Sequence, residues 1–142
     1  MKPAEVSADF RLAGGLSPAT LDQVQRRTAL LMDEAHVPAA QRHTASVLVE
    51  EICTNILEHS QASWMELGIR CDGSAVTLAF ADDGCPFDPQ PAIEASGTPA
   101  ALERPAHRNL GLYMVRSLAE NVRYFRDELG VNVIELDLNP TP

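Results

Sequence analysis

Three short stretches place side chains that could do chemistry at spacings that make the chemistry specific. In "EEICTNILEH" (residues 50–59) the carboxylate of Glu51 stands four residues before the carboxamide of Asn55. Mg²⁺ takes hard oxygen ligands and keeps several waters, so a single side-chain oxygen such as that of Asn55 can suffice beside a phosphate. A neighbouring carboxylate is then free to act as a base. In "DDGCPFDP" (82–89) Asp82 precedes a glycine, Gly84. A carboxylate at the end of a core-facing strand can accept a hydrogen bond from an exocyclic amino group such as adenine's, and glycine lets a ligand approach the backbone. In "HRNLGL" (107–112) a loop ends in glycine where a helix begins, and such an end offers unpaired N–H groups to phosphate oxygens.

The elements that must position these groups follow from hydrophobic spacing. At about 100° per residue, Glu51, Asn55 and Glu58 fall within roughly a 60° arc of one helix face, bordering the apolar stripe of Val49, Ile52, Cys53 and Ile56. That helix opens near Pro38 and runs to about His59. Before it, Ser17 and Pro18 are an N-cap and first-turn signal. Leu21, Val24, Thr28, Leu31 and Ala35 then recur at helical spacing, after a loosely alternating edge strand within residues 4–14. From Trp64 the period becomes two. Met65, Leu67, Ile69 and Cys71 form one face, "DGS" (72–74) is a turn, and Val76, Leu78 and Phe80 form the inward face of the returning strand. The same parity points Asp82 inward.

Residues 85–109 hold five of the ten prolines and show no period, which predicts a long loop acting as a lid. The spacing of "LGLYMVRSLAENV" predicts a helix over 110–122, followed by a closing hairpin with Ile134, Leu136 and Leu138 inward. The order strand, two helices, two strands, loop, helix, two strands predicts an α/β fold, a two-layer sandwich. Its mixed, mostly antiparallel sheet of about five strands is covered on one face by about three helices.

At 142 residues with 45% hydrophobic content the chain can bury one core, so a single domain is expected. A net charge of −9 repels a polyanion and argues against direct nucleic-acid binding. No apolar run reaches membrane length and residues 1–10 lack a leader pattern, so no membrane contact and a cytoplasmic location are expected. Cys53, Cys71 and Cys85 fit neither a metal motif nor a disulfide framework, and the four histidines have no ligand spacing. Arg26 and Arg27 read as a solvated helix face, with partner contact as the rival.

In this order the three stretches resemble the small anti-sigma-factor serine kinases, part of the ATPase superfamily shared by gyrase, histidine kinases and the mismatch-repair protein MutL. "EEICTNILEH" is similar to that family's N box, "DDGCPFDP" to its first glycine box with a PFDP extension, and "NLGLYMVRSLAENVRY" to its second glycine box and the helix after it. The resemblance spans about residues 10–138. It implies a sandwich that holds ATP or ADP with Mg²⁺ under a lid. Glu51 would be the general base, Asn55 the Mg²⁺ ligand, Asp82 the adenine acceptor, and Gly84 and Phe87 part of the nucleotide wall. Arg108, Asn109, Leu110 and Gly111 would meet the phosphates, Arg108 supplying positive charge.

Two positions depart from the pattern: Asn109 stands where the second box usually has glycine, and Glu135 aligns where the last strand often has a threonine near adenine. The implied function is a kinase that phosphorylates a STAS-domain anti-anti-sigma protein and sequesters a sigma factor, as a homodimer. The alternative is a binding module of the same fold without turnover, motivated by Asn109 and Glu135. The ATP-binding half of a histidine kinase is disfavoured, because the region before the N box holds only one strand and one full helix, with no room for a dimerisation and phosphoacceptor hairpin.

Overall fold

The computed structural model describes residues 5–13, 17–72, 75–86 and 115–138. Strand β1 (Glu5–Ala13) is followed by helices α1 (Pro18–Glu34) and α2 (Ala39–Asn55), a π-helical turn (Ile56–Ser60), then β2 (Trp64–Asp72), β3 (Ala75–Asp82), β4 (Ala119–Arg126) and β5 (Asn132–Leu138). They build one five-stranded sheet in the order β1-β2-β3-β5-β4. All four pairings are antiparallel, the limiting case of the mixed, mostly antiparallel sheet expected. Residues 115–118 are helical.

Each element forms for a local reason. Pro18 opens α1, and the Ser17 N–H donates to Thr20 Oγ1 at 2.9 Å, satisfying a group at the helix start. Val24, Thr28 and Met32 are the buried line of α1, with Leu21, Leu31 and Ala35 packed at its edge. Met32 thus takes the deep position that spacing assigned to Leu31. The Thr28 hydroxyl is no polar defect there, since it donates to the Val24 carbonyl at 2.7 Å. α1 ends as His36 turns left-handed (φ 55°), and Pro38 then begins the next helix, as its fixed φ allows.

The strands bury alternate residues. Met65, Leu67, Ile69 and Cys71 of β2, Val76, Leu78 and Phe80 of β3, and Ile134, Leu136 and Leu138 of β5 all enter the core against Leu48, Val49, Ile52, Cys53 and Ile56. Each large side chain withdrawn from water contributes roughly 1.5–3 kcal/mol before entropy is counted. α1 packs on β1 and β2, and α2 on β3 and β5. The opposite face carries a cluster of charged and polar groups. On it Arg123 binds Glu135 at 3.1 Å and Asp137 at 2.7 Å, and Thr77 donates to Asp137 at 2.9 Å.

Two boundaries differ from the sequence reading. The expected helix over 110–122 gives way to β4 at Ala119, and an irregularity in the β4–β5 ladder lies between Ala119 and Asn121. A bulge adds one residue, so Ala119 and Val122 both meet the core although three residues apart. That spacing imitated a helix. Second, the helix carrying Glu51 and Asn55 does not run on as α-helix to His59 but widens into the π-turn directly after Asn55. The proposed turn residues 73–74 lie outside the described residues.

Candidate functional site

Asp82 is the last residue of β3 and a buried polar group on the sheet's core face. The alternation that buries Val76, Leu78 and Phe80 leaves Asp82 only 4% exposed, as parity required. Its Oδ1 accepts the Gly84 N–H at 2.8 Å and the Asn132 amide at 3.3 Å. Among the described residues, no hydrogen bond reaches Oδ2. Burial raises the Asp82 carboxyl above its ordinary range; the two hydrogen bonds and, more weakly, Arg126 oppose that rise, and Asp83 adds to it.

Asn132 is the residue that sequence reasoning missed. It is 3% exposed and pairs in register with Asp82 across β3–β5 and with Arg126 across β4–β5. Its amide also donates to the Gly84 carbonyl at 3.0 Å and the Cys85 carbonyl at 3.3 Å. Its own oxygen accepts from the Tyr124 hydroxyl at 2.7 Å and from Arg126 at 2.9 Å, while Arg126 also reaches the Gly84 carbonyl at 3.1 Å. A signal existed: the parity of Ile134, Leu136 and Leu138 extends back to Asn132. Glu135, expected near the base, is on the opposite face with Arg123. The β5 residue beside Asp82 is Asn132.

The loop after Asp82 is tied to the end of the helical layer. A Cβ on Gly84 would lie 2.6 Å from Ser60 Cβ and 2.7 Å from Ser60 Oγ, so this glycine is needed for packing against the π-turn before any ligand is considered. The Cys85 N–H donates to the Ser60 carbonyl at 2.7 Å. Asp83 turns outward, where its carboxylate accepts the Ser63 hydroxyl, the Ser63 N–H at 2.8 Å and the Trp64 N–H at 3.2 Å. The Ser63 hydroxyl bond, more than any other, holds its carboxyl below the usual range. Adjacent aspartates therefore do opposite things, one facing the core and one fastening the loop.

Glu51 and Asn55 are half-buried one turn apart on α2, and Glu58 is exposed. Partial burial and then the neighbouring Glu50 carboxylate raise Glu51 above the ordinary glutamate range. Asn55 is the last residue before the π-turn whose end touches Gly84 and Cys85. The helix position of Asn55 and the Asp82 loop are thereby joined through Ser60. Phe87, Arg108, Asn109, Leu110 and Gly111, with nearly all of the expected lid, lie outside the described residues.

Among the described residues no three His, Cys, Asp or Glu side chains cluster as a metal centre. Asn55 suits a Mg²⁺ that arrives with phosphate oxygens, for which one protein ligand is enough. Asp82, with one oxygen engaged and the other not, suits a ligand amino group. Two of the three thiols are buried, which pushes Cys53 up to about 12 and raises Cys71. No helix among the described residues is long and apolar enough to cross a membrane.

The fold is similar to that of a chain in the crystal structure of the SiaB–SiaC complex from Pseudomonas aeruginosa, with a TM-score of 0.64 at 13% identity over 91% of this chain and 88% of that one. No curated protein matches the sequence. The sequence profile described as "Histidine kinase-like ATPase domain" matches residues 16–137, nearly the whole chain and every element from α1 to β5. The chain belongs to the histidine kinase-like ATPase domain family.

Proposed function

We propose that this protein is an ATP-dependent serine-protein kinase that phosphorylates a STAS-domain anti-anti-sigma protein and sequesters a sigma factor in a partner-switching system. The observation that carries the nucleotide part is Asp82: a buried carboxylate with one oxygen held by the protein and none of the described hydrogen bonds on the other, in a chain of an ATPase family. Oδ2 accepts the adenine amino group. Glu51, whose raised proton affinity suits a base, accepts the proton of the substrate serine hydroxyl as its oxygen attacks the γ-phosphate and ADP departs. The Asn55 oxygen would hold Mg²⁺, which when bound neutralises phosphate charge. Arg108, Asn109, Leu110 and Gly111 would meet the phosphates and Phe87 would line the wall, as the resemblance implies. A fold neighbour solved in a two-protein complex agrees with a protein partner.

Of the two grounds for a binding module without turnover, Glu135 falls away because it is ion-paired on the far face of the sheet. The test is incubation of the purified protein with Mg-ATP and its STAS partner. Phosphoserine on the partner, lost in Glu51→Ala with ATP binding retained, supports the kinase. No heat with ATP or ADP in calorimetry refutes it.

A further inference from the structure

Asn132 has no part in the chemistry above, yet it makes more polar contacts than any other residue around Asp82. Its orientation follows from its partners. Arginine offers only donors, so the Asn132 atom facing Arg126 at 2.9 Å has to be the carbonyl oxygen, which the Tyr124 hydroxyl also reaches at 2.7 Å. A flipped amide would set N–H groups against a guanidinium. The nitrogen is therefore committed to the other side, where Asp82 Oδ1 (3.3 Å) and the Gly84 and Cys85 carbonyls (3.0 and 3.3 Å) accept it.

This arrangement has a consequence for recognition. Oδ1 of Asp82 is occupied by the Gly84 N–H and the Asn132 amide, so a ligand meets Oδ2, an acceptor. Asn132 cannot compensate by offering a donor, because its N–H groups already face protein oxygens. An amino group satisfies such a site, whereas a carbonyl leaves two acceptors opposed and unpaired.

We infer that Asn132, locked by Tyr124 and Arg126, is the positioning residue through which Asp82 selects a 6-amino purine nucleotide over a 6-oxo purine nucleotide. This rests on the nucleotide reading proposed above. ATP and ITP carry the same phosphates and sugar and test it directly, by calorimetry in Mg²⁺. The wild-type protein is expected to prefer ATP by about tenfold or more. Asn132→Ala is expected to remove most of that preference by weakening ATP, with ITP affinity held within about twofold. Tyr124→Phe, which keeps the ring packing, is expected to lower the preference by about two- to threefold and decides the matter if the first variant does not fold.

Equal loss of ATP and ITP in Asn132→Ala, an unchanged ratio in both variants, or no preference in the wild type overturns the inference while leaving the nucleotide site standing. Binding of neither nucleotide to the wild type refutes the site itself, and the inference with it.

Discussion

Asn132 and Asp82 are register partners across the β3–β5 ladder, fifty residues apart in sequence, and the Asn132 amide donates to Asp82 Oδ1 at 3.3 Å. The pair places a carboxylate in the core without leaving it unpaired, but burial still raises its proton affinity. Holding the charge inside costs stability.

Asp82→Asn should therefore separate stability from binding. The neutral isostere is expected to melt at the same temperature as wild type or higher at pH 7, while ATP affinity falls by about one to two orders of magnitude, the worth of a hydrogen bond to a charged group. Thermal melts and calorimetry on the same sample check both. A lower melting temperature with unchanged ATP affinity would show that Asp82 is structural alone.

Gly84→Ala is expected to destabilise by about 1–3 kcal/mol, as overpacking does, because the added methyl meets Ser60. Ser60→Ala in the same chain should not restore stability, since the Ser60 carbonyl and Cβ remain in the way. Denaturant unfolding of the two single variants and the double variant decides this, and full rescue would contradict the packing described.

The pH dependence has a defined sign. In the proposed reaction Glu51 can serve as a base only when ionised, and ionisation makes Asp82 the stronger acceptor; both carboxyls are raised. Phosphoryl transfer should fall on the acid side at a pH above the ordinary carboxylate range. Glu50→Gln removes the like charge beside Glu51 and should move the acid limb of the rate profile to lower pH. For stability the same two groups act in reverse: a raised folded pKa favours the fold below the unfolded pKa, and the benefit is lost as pH rises through the folded value.

Asp137 titrates the other way. The Arg123 hydrogen bond, then the Thr77 hydroxyl and Asn121 amide, bring its carboxyl down to about 2 against the opposing effect of burial. Its stabilisation is present above the unfolded pKa and is lost as pH falls toward about 2. Arg123→Ala should cost about 1 kcal/mol or less at pH 7, because the pair is partly exposed, and less in high salt. Nucleotide affinity should not change, since Arg123 is on the sheet face away from Asp82. Urea melts at two salt concentrations, with calorimetry, test both halves.

Local spacing in the sequence determined the two helices, the β2–β3 hairpin and the inward direction of Asp82. Periods of 3.6 and 2 are properties of the chain itself and survive in any fold that buries one face. The quoted boxes pointed in the same way to the ATPase family that the profile match establishes. Tertiary structure alone decided which groups complete Asp82 and why Gly84 is glycine. Asn132, Tyr124 and Arg126 arrive on the last two strands through the ladder, and Ser60 meets Gly84 across a helix end. It also decided the start of β4, where a bulge reproduces helical spacing within a strand. Hydrogen bonds between residues fifty positions apart depend on sheet register, which no local period contains.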